Sequence, residues 1–419
     1  MLVRRIIIAV AETRSHERAS VVLREVNEHS ASDSTIARLT WQVGAELAAL
    51  RDAELSNEAG DDAPSSAASS ASSSTADDAT AAASGPQSPP ELAVVMCDGG
   101  RIRTRAAGRG RGVHEKAWRE TKNACLLRMT HQTFDVDPQP ELPPSFCDPH
   151  KVAKLAEKEP LDGALPEDEA ARAKDDAARA DDASSDEAPA DWRPRRLVRT
   201  CLSSLARSDK FGVQMAREAQ RRRFAEAPHR AFVGDGLPWN WSIWDEHFRD
   251  FTPILDFIHA LSYVYRAALA IGDDAPRAWS TYIAQATACW QGRVAEVIAA
   301  LQSWLAAHGV DNPAALPDDD PRQAVATAVR YLTNNQARMD YLRYRAAGLL
   351  VMSAHMESLV KEINHRVKGT EMFWNDPAGA EAILQIRAAA LCDDDRLVKY
   401  LTRRPGSPYT RRPTLAQAG

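Results

Sequence analysis

Residues 92–100 read LAVVMCDGG and residues 231–236 read AFVGDG. Each is a short apolar run that stops at Asp-Gly, at Asp98 in the first and at Asp235 in the second. A continuous apolar run bounded by a turn signal predicts a strand buried on both faces, the pattern of a sheet in an α/β protein. An acid directly after such a strand falls at the carboxyl edge of the sheet, where open α/β sheets bind ligands, and the glycine after it lets another backbone come close. Asp-Gly is also a common turn dipeptide, and for either one alone the plain turn is the better reading.

Outward from these runs, RIRTR (101–105) alternates, a basic loop follows, and NACLLRM (123–129) is apolar again, which predicts a three-strand meander. Residues 193–227, rich in arginine, predict one long helix. A strand over 253–255 leads into a helix through Asp256 and His259. Residues 277–345 are largely helical, with Trp290, Val294, Val297, Leu301 and Leu305 spaced by threes and fours and a break at Pro313, Pro317 and Pro321. A last helix starts near Ser353 and carries Met356, Leu359, Val360, Ile363 and Val367 on one stripe. Towards the amino terminus, residues 15–51 predict two helices around a polar break at 29–34, either a packing arm or a helix-turn-helix. Residues 58–90 (Ser, Ala, Asp) and 157–191 (Glu, Asp, Ala, Pro) lack the apolar side chains that offset the entropy of ordering, so flexible linkers are expected there.

With 419 residues, 44% hydrophobic and 26% charged, the chain is long enough for two or three domains without disulfide help. Heavy use of Ala, Arg and Asp points to a GC-rich bacterial source. The net charge of −6 does not exclude nucleic acid, because acid concentrates in 157–191 while arginines crowd 193–230. Six scattered cysteines without a CxxC pair spell neither a zinc module nor a disulfide framework. The apolar stretch after the amino-terminal arginines is too short for a signal-peptide core, and no segment approaches the roughly twenty apolar residues of a membrane span. A soluble cytoplasmic protein is expected.

Glu357 adds a third acid on the last helix, with Lys361, Asn364 and Lys368 following at helical spacing. By itself this is a solvated face with an i, i+4 pair. The alternative is chemical: cutting a phosphodiester is served by two divalent ions about 4 Å apart, and three carboxylates can hold them. Magnesium or manganese suits so sparse a set of hard oxygen ligands. Asp98 would bridge the ions, with Asp235 and Glu357 completing one side each. Asp256 and His259 share a helix face, as a structural contact beneath the sheet or, less favoured, a metal ligand. Trp239, Trp241 and Trp244 suit core packing or stacking on an unpaired base. The arginines of 193–227 and of the tail TRRPGSPYTRRP suit phosphate contacts or a solvated face.

At these residues the chain resembles the insertion-sequence transposases of the ISKra-four family, DDE recombinases related to mutator-like elements. The likeness runs through VVMCDGGRIRTR, HEKAWRETKNACL, AFVGDGLPWNWSIWDEHFRDFTPILDFIHALSYVY and YLRYRAAGLLVMSAHMESLVKEINHRVKGTEMFWNDPAGAEAILQIRAAAL, about two thirds of the chain. It implies an α/β, RNase H-like mixed sheet with an all-α insertion before the Glu helix and an N-terminal helical segment. It further implies a catalytic and metal-binding triad of Asp98, Asp235 and Glu357, with Asp256-Phe-Ile-His259 as a D-x-x-H signature and Lys361 and Trp374 in support. Arg221, Arg222, Arg223 and Lys368 are candidate DNA contacts. The expected division is 1–55 helical, 56–91 linker, 92–265 catalytic core, 266–345 all-α insertion, 346–400 core completion and 401–419 basic tail.

The implied activity is cleavage and strand transfer at terminal inverted repeats of double-stranded DNA, by a homo-oligomer using Mg2+ or Mn2+ in a two-metal site. Ala354 stands where that family usually has glycine, and an amino-terminal Cys-rich region is expected to be lacking. The second departure makes a truncated, catalytically silent remnant that only binds DNA the alternative, beside an RNase H-like nuclease.

Overall fold

The described residues of the computed structural model are 2–13, 15–27, 30–58, 88–104, 117–158, 192–310, 312, 316–317, 320–368, 374 and 376–404. The expected linkers lie outside them from 59 to 87 and from 159 to 191, as do the basic loop at 105–116 and the tail from 405.

The run that opens at Leu92 forms a strand because both faces of it are covered. In β1 (Leu92–Thr104), Leu92, Val94 and Met96 enter one hydrophobic core, while Ala93, Val95 and Cys97 enter another on the opposite face. Four more strands join it: β2 (Ala117–Met129), β3 (Arg196–Ser204), β4 (His229–Gly234) and β5 (Thr252–Leu255). They make one mixed sheet in the order β3-β2-β1-β4-β5. β2 is antiparallel to both neighbours, whereas β1, β4 and β5 are mutually parallel.

Two sequence expectations are corrected here. RIRTR is not a separate strand: β1 passes unbroken through Asp98-Gly99-Gly100, because β2 keeps pairing with it from Asp98↔Asn123 to Thr104↔Ala117. A Cβ on Gly100 would stand 2.6 Å from Thr121 Oγ1, so glycine lets the pairing run on. The third strand of the meander is β3, inside the segment expected as one long helix. Arginine is a good helix former, but propensity is a weak prior, and here the backbone pairs with β2 in the register Cys125↔Cys201. The helix in that region is confined to Ser208–Arg221.

The amino terminus supplies α1 (Leu2–Glu12), α2 (His16–Asn27) and α3 (Asp33–Glu58), and the chain between β2 and β3 supplies α4 (Pro149–Lys158). Helices α5 (Ser208–Arg221) and α6 (Pro238–His247) cover one sheet face, where Phe211, Met215 and Ile243 meet Val95 and Phe232. Helix α7 (Phe257–Ile271) leaves β5 and crosses the expected boundary at 265/266 without interruption. It carries the helical block α8 (Ala275–Trp290), α9 (Val294–Ala307), α10 (Arg322–Asn335) and α11 (Tyr341–Ala346). That block shares the larger core: Phe257 is fully buried edge-on to both Trp290 and Tyr341. A buried ion pair of Arg345 with Asp137 ties it to the segment after β2.

The other sheet face is completed by α12 (Ala354–Val367) and α13 (Pro377–Ala390), and α14 (Arg396–Arg403) packs beyond them against α13 and α1. Helix α3 lies so close to α13 that a Cβ on Gly44 would overlap the Ala382 backbone. Arg387 further donates to the Ala11 carbonyl at 2.7 Å. The segment 15–51 is thus docked through α3 against α13. Among the described residues no helix is long and apolar enough to cross a membrane.

Candidate active site

The parallel pairing of β1 and β4 aligns Cys97 with Gly234, so Asp98 and Asp235, the next residue of each strand, emerge side by side at one sheet edge. Neighbouring strands run about 4.8 Å apart, which sets the spacing of the two backbones. Both carboxylates are half-buried. Their joint field is felt by Cys97, whose thiol is pushed well up by its complete burial, then by the negative charges of Asp235 and Asp98, against a smaller opposing pull from Lys122.

Asp235 is fixed by a local capping arrangement. Its Oδ1 accepts the Leu237 N–H at 2.8 Å and a short hydrogen bond from the Asn240 amide, and Cys97 Sγ donates to Asn240 Oδ1 at 3.2 Å. Gly236 turns the chain with φ of +96°, and a Cβ there would stand 2.7 Å from the Tyr331 ring. Tyr331 belongs to α10 of the helical block; its hydroxyl donates to the Asp235 carbonyl at 2.6 Å and its ring stacks on Tyr263 at 3.7 Å. The helical block therefore buttresses Asp235. Sequence reading passed over Tyr331 and Asn240, since neither has a motif spacing; the glycine after Asp235 was the visible sign that something packs close.

Glu357 lies in the first turn of α12, and two anchors set that helix across the same sheet edge. At its start, Asp256, wholly buried, accepts the Ser353 N–H at 2.7 Å on one oxygen and caps α7 through the His259 N–H at 3.3 Å on the other. The His259 ring closes on that capping oxygen at 2.5 Å. Asp256 and His259 thus form the expected structural contact, and it joins two helix starts. Farther along, Asn364 reaches over Gly100, and beyond the helix Trp374 N–H donates to the Arg103 carbonyl at 2.9 Å while its indole donates to the Val367 carbonyl. Trp374 supports the helix end against β1. Lys361 stands 3.9 Å from Glu357 with half its side chain exposed, a spacing at which an ion pair contributes little.

Asp98 and Asp235 are therefore brought together, with the Glu357 helix over their edge. Among the described residues no three His, Cys, Asp or Glu side chains are gathered into a group that could hold a metal ion. Two carboxylates side by side on adjacent strands match what magnesium commonly takes from a protein, so the donor chemistry fits.

Three of the expected outer residues have other partners. Arg222 is buried between Glu218 at 2.9 Å and Asp394 at 2.8 Å, which corrects its assignment as a DNA contact: a guanidinium held inside a charge network has no phosphate to reach. Arg221 pairs with Glu218 at 3.4 Å, its pKa brought down to about 10 by burial and by Arg396 and Arg222, and Arg223 pairs with Glu226. Lys368 closes α12, donating its N–H to the Asn364 carbonyl. Trp241 donates to Asn335 at 2.9 Å and Trp244 to the Phe251 carbonyl at 2.8 Å, both as packing residues. Trp239 differs, lying under Lys122 with the ammonium 4.6 Å from its ring.

No protein-family model matches this chain, and no curated protein matches it.

Proposed function

We propose that this protein is a DDE transposase with an RNase H-like core, cleaving DNA strands and joining them from the sheet edge that carries Asp98 and Asp235. The single observation behind this reading is that pair: two acids side by side where the parallel pairing of β1 and β4 ends, with the helix of a third acid anchored at its start by Asp256. The helical block between Asp235 and Glu357 supports it too, since it interrupts the core where the resemblance expects an insertion and touches the Asp235 loop through Tyr331.

In this reading Asp98 and Asp235, with Glu357, would hold Mg2+ or Mn2+, which when bound supplies positive charge to phosphoryl oxygens. The chain's own residues do the positioning. Asn240, the Leu237 N–H and Tyr331 hold the Asp235 carboxylate and backbone in place, and the Asp256 carboxylate fixes where the Glu357 helix begins. Double-stranded DNA, bearing terminal repeats and target, is the proposed partner, bound by a homo-oligomer.

The alternative weighed from the sequence, DNA binding without cleavage, predicts a different outcome in the same assay. The test is nicking of a labelled duplex taken from the DNA flanking the reading frame, with Mg2+ or Mn2+, by wild type and by Asp98→Asn, Asp235→Asn and Glu357→Gln. The transposase reading expects metal-dependent nicking that all three substitutions abolish. Binding of that duplex with no nicking by the wild type would overturn it in favour of the silent form.

A further inference from the structure

Strand register draws one polar residue from each of the five strands into a single row across the sheet. Asp98 on β1 pairs with Asn123 on β2, and Asn123 pairs in turn with Ser203 on β3. On the other side Cys97, Gly234 and Leu255 are aligned, so Asp98, Asp235 and Asp256 follow one another across β1, β4 and β5. Alternation sets Asp98, Asn123 and Ser203 on the face of Met96, Cys125 and Cys201, the face that α12 covers. Asp235 is held by Asn240 and the Leu237 N–H, and Asp256 is fixed between two helix starts. Beside Asp98 stands Asn123.

Asn123 is 1% exposed and Ser203 3%. A buried carboxamide within a strand is costly unless its polar atoms are used, and an apolar side chain would suit the strand better. One end is used: Ser203 Oγ donates to Asn123 Oδ1 at 2.7 Å. The other end, Nδ2, is turned to β1, 3.2 Å from where a Cβ on Gly100 would stand. Among the described residues its hydrogen bond is a long one, 3.4 Å to Thr121 Oγ1. A carboxamide nitrogen carries two N–H groups, so a second donor remains for β1. Of the side chains that β1 sets on this face, Asp98 alone is charged. Directly opposed side chains have Cβ atoms about 4.5–5.5 Å apart, a gap that a carboxamide and a carboxylate can bridge. The reverse orientation would set a carbonyl oxygen against a carboxylate, two acceptors with no proton between them.

We propose that Asn123 is a positioning residue: oriented by Ser203, its amide donates to the Asp98 carboxylate and turns the remaining lone pairs toward a divalent cation. This rests on Asp98 holding metal, as proposed above. Groups behind a ligating carboxylate set its orientation, and removing one typically lowers metal affinity or activity about 10–100-fold.

The test compares full-length Asn123→Leu, Asn123→Thr and Ser203→Ala with the wild type, each shown to be folded by circular dichroism. Leucine fills nearly the same space without a donor, whereas threonine keeps a hydroxyl donor. Binding of Mn2+ alone is read from the electron paramagnetic resonance of the free ion. Asn123→Leu should weaken it about tenfold or more, and Asn123→Thr and Ser203→Ala by less; packing alone would leave leucine like the wild type. In protein labelled with 15N-asparagine, the Asn123 side-chain amide is the signal missing from Asn123→Leu. One of its two protons should move beyond the linewidth in Asp98→Asn. An Asn123 amide that ignores Asp98→Asn, or wild-type Mn2+ affinity in folded Asn123→Leu, overturns the proposal; if the wild type nicks DNA all the same, the transposase reading stands without it. A wild type that neither binds Mn2+ nor nicks, with the amide still responding to Asp98→Asn, removes the metal reading and keeps the contact between Asn123 and Asp98.

Discussion

Replacing Asp256 with alanine tests the physical link between the sheet edge and the Glu357 helix. The carboxylate is wholly buried; one oxygen accepts the Ser353 N–H at 2.7 Å and the other caps α7 through His259 N–H at 3.3 Å. Loss of a helix N-cap costs about 1 kcal/mol. A buried N–H left without an acceptor costs about 1–3 kcal/mol. The sum is about 2–4 kcal/mol, and at about 2–4 °C per kcal/mol for a large domain a central value of ~3 kcal/mol lowers the melting temperature by about 6–12 °C. The assay is a thermal melt followed by far-ultraviolet circular dichroism, with Asp256→Asn beside it. Asparagine keeps the shape and one acceptor oxygen, so it should melt between wild type and alanine. If Asp256→Ala melted within about 2 °C of wild type, the two helix starts would not depend on this carboxylate, and the account of how Glu357 is positioned would fail.

Gly236→Ala adds a Cβ 2.7 Å from the Tyr331 ring at a φ of +96°, and should cost about 2–4 kcal/mol, read as a lowered melting temperature. Arg222→Ala removes a guanidinium that is 3% exposed and shared by Glu218 and Asp394. It should destabilise by about 3 kcal/mol or more while the folded protein keeps its duplex-DNA affinity in anisotropy titrations; a selective loss of affinity would restore Arg222 as a DNA contact. For Glu218, burial pushes the carboxyl up, but Arg396 and Arg222 outweigh it and hold the pKa below its ordinary 4.5. A depressed folded-state value means that the contribution is complete above the unfolded pKa and is lost as pH falls through the folded one. Acid titrations of stability should therefore show a steep limb below about pH 4.5 that Glu218→Gln flattens, and an unchanged limb would contradict the ion-pair account.

Much of the site was readable along the chain. The runs ending at Asp98 and Asp235 announce buried strands because apolar side chains on successive residues suit a sheet covered on both faces. The stripe of Met356, Leu359 and Ile363 announces α12, since a helix period is a local property. The reading failed at β3, where arginines favour a helix and only hydrogen bonding to β2, some seventy residues earlier, makes a strand; it also failed at Gly99-Gly100, where glycines that look like a turn are crossed by an unbroken ribbon. Arg222 looked like a phosphate contact because sequence gives a charge but not its partners, and Glu218 and Asp394 reach it only through folding.

By itself, the sequence determined that the runs before Asp98 and Asp235 form buried strands and that the striped segments form helices, because side-chain period acts over a few residues. Only the tertiary structure decided that Asp98 and Asp235 are neighbours, that Tyr331 from the helical block holds the second of them, and that Asp256 sets the start of the Glu357 helix. Those are contacts across roughly a hundred residues, and their geometry comes from strand register and core packing, which no local pattern encodes.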